Sequence, residues 1–560
     1  MTQNQIKRLL RSALQERLLE ELTPSDDKKS FLQLGVDSIV ATELIELIRR
    51  EIDPALGVSV LFDYPNIDDL SIYLASGSED AALKPAEVKT AGQIAVVGLS
   101  GRFPGAADVT EFWQNLVRGV CSITEIPSDR KRYWDLAGLA NRVKTSCRWG
   151  GFLSDIECFD ALFFGISPGE AALTDPQQRL FLEEAWKAIE DAGYAADTLS
   201  EGRCGVFAGV FNTDYQDLLT QANALTPKPH ELMGSAASIL AGRVAYHLNL
   251  RGPAVAVDTA CSSSLVAIHL ACQALQLGEI DVAIAGGVTL YLTQKRYHLM
   301  EQVGMLSPSG KCRPFDDAAD GTVPGEGVGV VILKRLDEAI AAGDSIYGVI
   351  VASGTNHAGK TGGITVPNMR AQLDLFTEVN RRRGIAPEEI DYIEAHGTGT
   401  KLGDPIEFEA LTTMLQGVGD QRICRLGSLK ANLGHTTAAA GVVGLIKLLL
   451  ALRHEKIPPQ INFQNPNGHS DFVKTPLRIN TVLEPWERRP GHTRRAALNS
   501  FGFAGTNGYL LLEEAAELVR EGQAEPGGHF WIIVSARTRD ALRARATALA
   551  GSPLQARMFL

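Results

Sequence analysis

Apolar residues recur at helical spacing within the first 75 residues of the chain. They repeat every three or four residues between positions 6 and 13 and between 40 and 48, and a shorter stretch of the same kind spans 67–74. This period places the apolar side chains on one face of each helix. Three or four short amphipathic helices predict a small all-α four-helix bundle at residues 1–75.

A different pattern begins at Gly92, after a stretch at 76–91 whose small and charged residues and one proline are typical of a linker. From here on, short apolar runs rich in β-branched residues alternate with helical stretches such as QQRLFLEEAWKAIEDAG. Such alternation predicts a large α/β domain. We place this domain at residues 92–516.

Two segments of this domain resemble each other, VDTACSSSLVAIHLACQAL and GHTTAAAGVVGLIKLLLAL. Each enters a helix of small residues from a loop, which an internal duplication would explain. After about residue 516 the pattern gives only one strand and one helix. We therefore expect residues 517–560 to be the truncated start of a flanking region.

Composition narrows the class of protein. At 560 residues the chain exceeds the roughly 250–300 residues at which a single core stops growing. The net charge of -12 argues against a general binder of nucleic acid, which needs a basic face. The N-terminus lacks the apolar core of a secretion signal, and the longest apolar stretch is broken by Lys447. We expect a cytoplasmic protein that does not enter the membrane.

The eight cysteines include no C-x-x-C pair, so neither a disulfide framework nor a zinc site is indicated, and we expect no metal. Cys261 differs from the others because a helix follows it at once. A helix N-terminus stabilises a thiolate, and the turn points a backbone N–H at the oxygen of an acyl group on the sulfur. The alternative is a buried structural thiol, which is our interpretation of Cys121, Cys147, Cys158, Cys204, Cys272, Cys312 and Cys424.

Two histidines occupy similar positions. His396 follows a strand and lies in a Gly/Thr loop, and His435 comes just before a helix of small residues. Each taken alone can be a structural histidine. The ends of strands and the starts of helices are nevertheless where α/β enzymes place their sites, so together with Cys261 they indicate a catalytic centre.

These residues lie within a set of ordered motifs: DPQQRLFLEEAW, VDTACSSSL, EAHGTGTKLGDP, KANLGHTTAAAG and NSFGFAGTN. From Ile94 to about Glu514 the chain resembles the ketosynthase domains of modular polyketide synthases. The resemblance implies the thiolase-like fold, a duplicated five-layered α/β sandwich that works as a homodimer. It also implies acyl carrier proteins as partners.

The resemblance implies a role for each site residue. Cys261 would take an acyl chain from a carrier thiol, and a malonyl-type unit on a second carrier would lose CO₂. His396 and His435 would hydrogen-bond the thioester oxygen of that unit. The backbone N–H groups of Cys261 and Phe503 would hold the oxyanion formed when the new carbon–carbon bond is made.

Lys430 and Asp404 match supporting residues of the same family, and an ordinary surface salt bridge is the alternative for each. The chain also departs from the family pattern at Ala504, Tyr509 and Thr174. A Cβ at Ala504 would strain a positive φ beside the oxyanion hole. None of these departures removes a catalytic group, and their effect on substrate preference and rate stays open.

The bundle at residues 1–75 contains the segment Leu34–Ile39, in which Ser38 stands where a loop meets an amphipathic helix. The segment resembles the attachment site of acyl carrier domains, where a serine receives 4'-phosphopantetheine. A helix N-terminus suits the phosphate. Asp37 or Ser38 acting only as a helix cap is the alternative.

One motif is a false lead. Residues 354–361 match the phosphate-loop pattern G-x-x-x-x-G-K-[ST] after a predicted strand. That pattern requires a helix directly afterwards, but the next residues are two glycines, β-branched residues and Pro367. We therefore expect no ATP site there.

The sequence thus predicts a β-ketoacyl synthase that elongates a polyketide chain by decarboxylative Claisen condensation. A non-elongating ketosynthase that only passes the chain on is one alternative, although such relatives usually lack the histidine that this chain keeps as His396. A degradative thiolase is the other. The segments GKTGGITVP and HGTGTKLGDP resemble the corresponding segments of synthases that are served by a free-standing acyltransferase. We therefore expect a free-standing acyltransferase as a partner.

Overall fold

The structure is a computed structural model, and its chain separates into two compact units, residues 1–91 and 92–560. Each unit is described by itself. The residues described are 2–18, 22–29, 31, 33–36, 38–53, 64, 66–75, 92–136, 147–211, 214–222, 230–361, 363–418, 422–468, 470, 472–515, 533–536 and 538–551.

The described part of the first unit contains α1 (Gln3–Leu18), α2 (Ser38–Glu51), α3 (Ile67–Ala75) and a short 3₁₀ helix at Pro24–Lys28. Apolar positions of all three α-helices meet in one core. The buried side chains are Ile6, Leu10, Ala13, Leu14, Phe31, Leu34, Val36, Leu44, Ile45, Ile48, Ile67, Leu70 and Leu74. The helical periodicity in the sequence is therefore confirmed as the source of this core.

The second unit contains strands and helices in alternation. Its strands are β1 (Ile94–Arg102), β2 (Ile123–Glu125), β3 (Trp149–Gly151), β4 (Cys204–Gly209), β5 (Ala254–Val257), β6 (Val282–Thr289), β7 (Gly327–Arg335), β8 (Gly348–His357), β9 (Tyr392–Glu394), β10 (Cys424–Gly427), β11 (Lys456–Ile457), β12 (Leu477–Ile479), β13 (Glu484–Pro485), β14 (Arg495–Phe501) and β15 (Thr506–Glu513).

The α-helices of this unit are α4 (Val109–Val117), α5 (Ser128–Leu136), α6 (Pro168–Leu173), α7 (Pro176–Asp191), α8 (Ala196–Glu201), α9 (Asp214–Ala222), α10 (His230–Ser235), α11 (Ala237–His247), α12 (Ser263–Gln276), α13 (Gln294–Gln302), α14 (Leu336–Ala342), α15 (Met369–Arg383), α16 (Gly403–Met414), α17 (Lys430–Leu433), α18 (Ala440–His454) and α19 (Arg539–Gly551). Further 3₁₀ turns include Ala260–Ser262 and Thr437–Ala439.

The main strands repeat one topology. In the first half the order is β5-β4-β6-β7-β1, and in the second half it is β10-β9-β14-β15-β8. Counted along the chain, each order is third, second, fourth, fifth, first, and the fifth strand is antiparallel to both neighbours. The predicted internal duplication is thereby confirmed. A short pairing of β1 with β8 joins the two halves.

The helices form three layers around the two halves of the sheet. Helices α12 and α18 pack against each other between the halves, α12 on β4 and β6 and α18 on β7 and β14. Helices α7 and α11 cover the outer face of the first half, and α15 and α16 pack together on the outside of the second. This α-β-α-β-α arrangement is the predicted thiolase-like five-layered sandwich.

The central helix α18 explains the most apolar stretch of the chain. Thr437–His454 is long and apolar enough to span a membrane, but 83% of it is buried within the protein. Lys447, in the middle of this stretch, is also buried and forms an ion pair with Glu394 (Nζ to Oε2, 2.6 Å). The stretch is thus a core helix.

In the part of the chain that the structure describes, no helix follows the phosphate-loop pattern directly. Gly354 lies inside β8, and no helix occurs among the described residues between His357 and Met369, where α15 begins. Without a helix N-terminus the pattern lacks the donors that hold phosphate. The expectation that it is not an ATP site agrees with this geometry.

Candidate active site

Cys261 lies in a tight turn between β5, in the first half of the sheet, and the central helix α12. Strand β5 ends at Val257, and a 3₁₀ turn at Ala260–Ser262 leads directly into the helix. Ala260 has a positive φ of 56°, a conformation that costs a non-glycine residue about 1–3 kcal/mol. Two hydrogen bonds hold it: its N–H donates to Asp258 Oδ1 (3.0 Å), and Ser263 Oγ donates to its carbonyl (2.6 Å).

The electrostatics of Cys261 differ from the sequence expectation. Burial raises the pKa of its thiol to about 11, although hydrogen bonds from the backbone N–H groups of Phe503 and of Cys261 itself, and the charge of Lys430, act to lower it. The expectation of a lowered pKa is therefore wrong, because loss of solvent outweighs the helix terminus. The two N–H groups at the sulfur are those expected to form the oxyanion hole.

The duplicated counterpart of this turn carries a catalytic candidate too. The 3₁₀ turn Thr437–Ala439 leads into α18 as Ala260–Ser262 leads into α12, and Thr437 has a positive φ of 42° at the position of Ala260. In this register His435 takes the place of Asp258. The same strained turn thus presents a thiol in one half and an imidazole in the other.

Hydrogen bonds define the state of His435. The Thr437 N–H donates to Nδ1 of His435 (3.3 Å). A nitrogen that accepts carries no proton, so the ring proton lies on Nε2. Nε2 is buried and has no partner among the residues the structure describes. It is therefore free to donate to a ligand.

His396 is held in the same way. The Phe501 N–H donates to Nδ1 of His396 (3.2 Å), which also places the proton on Nε2. Its ring centroid lies 5.4 Å from that of His435, with the two rings nearly perpendicular. Burial, followed by the charge of Lys430, lowers the pKa of both histidines well below the usual range. Both imidazoles are thus neutral at physiological pH.

Two carboxylates on α16 organise the loop that carries His396. Glu407 accepts hydrogen bonds of 2.8 Å from the N–H groups of His396 and Gly397 and from Asn499 Nδ2. Asp404 accepts from the N–H groups of Phe315, Thr398 and Gly399. Glu407 was not predicted, and its spacing of three residues from Asp404 on one helix is the signal that points to it.

Lys430 and Asp404 are both buried, at 7% and 1% exposure, so neither belongs to a surface salt bridge. Burial lowers the pKa of Lys430, and burial raises that of Asp404 to about 7. Lys430 influences the pKa values of Cys261, His396 and His435. It is thus the cation that all three site residues share.

Three residues depart from the family pattern, Ala504 in the glycine-rich turn, Tyr509 in the core and Thr174 at the end of α6. The positive φ in the glycine-rich turn belongs to Gly505 (96°) and not to Ala504, so the strain expected at Ala504 does not arise. Tyr509 is fully buried, and its hydroxyl donates to Asn380 Oδ1 (3.1 Å) in the core under α15. Thr174 is buried at the end of α6.

The mouth of the site is marked by Phe503, which is 40% exposed. Its ring stacks edge-on with Phe211 at a centroid distance of 5.9 Å.

In the first unit, Ser38 is the first residue of α2, as expected for an attachment serine at a helix start. Its side chain and Asp37 lie outside the described residues.

Two solved structures are similar to this chain in sequence and in fold. The ketosynthase from module 6 of the bacillaene synthase of Bacillus subtilis 168 is 48% identical, with a TM-score of 0.73 over 82% of this chain and 76% of that chain. This chain belongs to the polyketide synthases. The Streptomyces albus oxazolomycin ketosynthase domain OzmH KS7 is 38% identical, with a TM-score of 0.76 over 82% of this chain and 81% of that chain.

Family models divide this polyketide synthase chain in order. The phosphopantetheine attachment site matches residues 4–74, and the N- and C-terminal domains of beta-ketoacyl synthase match 91–339 and 347–464. The ketoacyl-synthetase C-terminal extension matches 466–559. A carrier domain with a phosphopantetheine site followed by a ketosynthase is therefore confirmed.

Two curated relatives are much longer than this chain. Polyketide synthase PksL of Bacillus subtilis is 44% identical over 90% of this chain and 12% of its own length. Polyketide synthase ThaG of Burkholderia thailandensis is 45% identical over 85% of this chain and 9% of its own length. The chain thus spans about a tenth of these relatives.

Proposed function

We propose that this chain elongates a polyketide by condensing an acyl group on Cys261 with a malonyl-type unit on a carrier. The observation that carries the proposal is the pair of neutral imidazoles, each with its Nε2 proton available, together with a thiol whose sulfur already receives two backbone N–H groups. Two donors for an enolate oxygen and two for a tetrahedral oxyanion are what the reaction needs.

In the first step the Cys261 thiol attacks the acyl thioester of a carrier. The carbon–sulfur bond to the carrier breaks, the new thioester to Cys261 forms, and the thiol proton leaves with the carrier sulfur. Because burial raises the pKa of Cys261 to about 11, proton transfer accompanies attack. The N–H groups of Cys261 and Phe503 hold the oxyanion.

In the second step the malonyl carboxylate leaves as CO₂, and its bonding electrons form an enolate. The Nε2 protons of His396 and His435 stabilise the enolate oxygen. The enolate carbon then attacks the Cys261 thioester, the carbon–carbon bond forms as the carbon–sulfur bond breaks, and the thiolate of Cys261 takes a proton from solvent. Lys430 and Asp404 support the site without contacting substrate.

We place the acyl carrier domain at 1–75, a linker at 76–91, the ketosynthase at 92–516 and a flanking region at 517–560. Ser38 carries 4'-phosphopantetheine, and the partners are acyl carrier domains and a free-standing acyltransferase. The resemblance supports a homodimer, as does the outer edge of β5, with which none of the described strands pairs. The cytoplasm, where carrier thiols stay reduced, is the proposed location.

Intact-protein mass spectrometry tests the proposal. Cys261 is loaded from an acyl thioester, and a malonyl-loaded carrier is then added. We expect loss of CO₂ and an elongated β-ketoacyl carrier, with no loading in Cys261→Ala and loading without elongation in His396→Ala. An acyl group that stays on wild-type Cys261 beside unchanged malonyl carrier would support the non-elongating alternative. Efficient use of free coenzyme A as acceptor would support a thiolase.

A further inference from the structure

A buried tyrosine that no sequence motif indicated lies against the turn Thr437–Ala439, which follows His435. Tyr291 follows β6 and is 2% exposed. Its hydroxyl forms a 2.6 Å hydrogen bond with Oγ1 of Thr437. Thr437 is the residue with positive φ whose N–H donates to Nδ1 of His435.

The bond matters because Thr437 has a backbone conformation that β-branched residues avoid. A threonine at φ 42° tends to relax, and relaxation would rotate its N–H away from His435. Oγ1 also contacts the carbonyl of His435 (3.4 Å). Tyr291 thus fixes, through one side-chain bond, the N–H that keeps the proton of His435 on Nε2.

Tyr291 is itself held firmly. Its backbone N–H donates to Oε1 of Glu326 (3.0 Å), and Oε2 of Glu326 accepts from Arg130 Nη2 (2.6 Å) and from the Leu153 N–H (2.9 Å). Arg130 and Glu326 are both fully buried. A buried ion pair between separate parts of the fold therefore anchors the strand end from which Tyr291 reaches Thr437.

We propose that Tyr291 is a positioning residue for the condensation step, acting through Thr437 to hold His435 with its proton on Nε2. The inference rests on the role proposed for His435. In this role Tyr291 acts through Thr437 and His435, with which it is connected by hydrogen bonds. It sets the donor that the enolate oxygen meets.

Tyr291→Phe removes the hydroxyl alone. We expect acylation of Cys261 to stay within about twofold of wild type, while condensation falls about 10-fold, by analogy with the roughly 10–100-fold cost of losing the partner that orients a metal-ligating histidine. Thr437→Val should give the same split, and Thr437→Ser, which keeps the hydroxyl, should restore condensation. In a double-mutant cycle Tyr291→Phe/Thr437→Val should be no slower than either single variant.

Tyr297→Phe is the matched control. Tyr297 is fully buried next to Tyr291 (ring centroids 5.7 Å apart), and its hydroxyl has no partner among the described residues. We expect this variant to condense at the wild-type rate. Equal rates in Tyr291→Phe and Tyr297→Phe, additive losses in the double variant, or equal slowing of acylation and condensation would each overturn the proposal.

A readout without turnover separates this inference from the proposed function. Nitrogen-15 NMR of histidine-labelled protein reports which ring nitrogen of His435 carries the proton. We expect Nε2–H in wild type and a mixture of tautomers in Tyr291→Phe. If wild type shows Nε2–H and does not condense, the proposed function fails, while a changed tautomer in Tyr291→Phe still shows that Tyr291 holds the proton of His435 on Nε2. An unchanged His435 tautomer in Tyr291→Phe overturns the positioning role.

Discussion

The thiol of Cys261 shows how two environments compete at one atom. A helix start, two N–H groups and a nearby ammonium favour the thiolate, whereas burial favours the thiol and prevails. The sequence revealed the helix start but not the depth of burial. Reactivity at neutral pH therefore depends on removal of the thiol proton during attack.

The charge of Lys430 can be tested through this thiol. Lys430→Met removes a positive charge that lowers the pKa of Cys261, so that pKa should rise further and alkylation by iodoacetamide should slow at any pH below it. The pH profile of alkylation, followed by intact mass, measures the effect. Lys456→Met, at an exposed position, is the control. A wild-type profile that levels off below pH 8 would contradict the raised pKa.

The glycine-rich turn gives a second residue-scale prediction. Ala504→Gly should leave acylation unchanged, because the positive φ lies at Gly505. Gly505→Ala should destabilise by about 1–3 kcal/mol, since its Cβ would also come within 2.7 Å of the His357 ring. Intact mass after loading measures the acylation of Ala504→Gly, and urea unfolding of both variants measures their difference in stability. Equal stability of the two variants would show that the turn tolerates a side chain at either position.

At the scale of elements, α12 carries a buried histidine with a measurable pH signature. His269 bonds Ser353 through Nδ1 (2.8 Å), and burial, with a smaller contribution from Arg382, lowers its pKa to about 4. Because its pKa is lowered on folding, His269 binds a proton more weakly in the folded protein than in the unfolded chain. Its contribution to the stability of the protein is therefore complete above the unfolded pKa of about 6.5 and declines as pH falls towards 4. The described carboxyls with raised pKa values oppose this trend, so wild type alone does not reveal it.

His269→Asn isolates that contribution. The difference in unfolding free energy between wild type and the variant should shrink by about 1.4 kcal/mol for each pH unit between roughly 6 and 4. Parallel urea titrations at several pH values provide the measurement, and the carboxyl contributions cancel in the difference. A difference that stays constant over this range would mean that His269 titrates normally.

Elements also mark the limit of what the sequence predicts. The two similar segments correctly indicated a duplication, because local pattern determines a loop followed by a helix of small residues. The contacts that complete the site are not local. Thr437 meets Tyr291 from 146 positions away, and Ser500 Oγ donates to the Cys261 carbonyl from 239 positions away. One-dimensional spacing holds no signal for such pairs.

On the scale of the whole molecule, ordered motifs predicted the fold and the order of the two domains, since each motif matches one segment of a known architecture. The roles of the site residues and the domain boundaries stay predictions. The assembly of the chain as a homodimer also stays a prediction. The sheet ends at β5, a strand next to the turn of Cys261, and none of the described strands pairs with its outer edge.

The edge of β5 carries the last prediction. Ala254 is exposed, Val255 and Ala256 are half-buried, and the strand contains no charge or proline that would block pairing. An unprotected apolar edge is stabilised by a second copy, which would extend the sheet across a two-fold axis. Because β5 leads into the Cys261 turn, dimerisation should also stiffen the nucleophile.

Val255→Asp should therefore convert a dimer into a monomer in light scattering and slow acylation of Cys261. The matched control is Val482→Asp, which places the same charge at a surface position 62% exposed and remote in sequence from β5. We expect that variant to stay dimeric. A wild-type chain that is monomeric at micromolar concentration, or a Val255→Asp variant that stays dimeric, would show that this edge is not the interface. If a Val255→Asp variant stays dimeric and is acylated slowly, β5 supports the Cys261 turn but does not form the dimer interface.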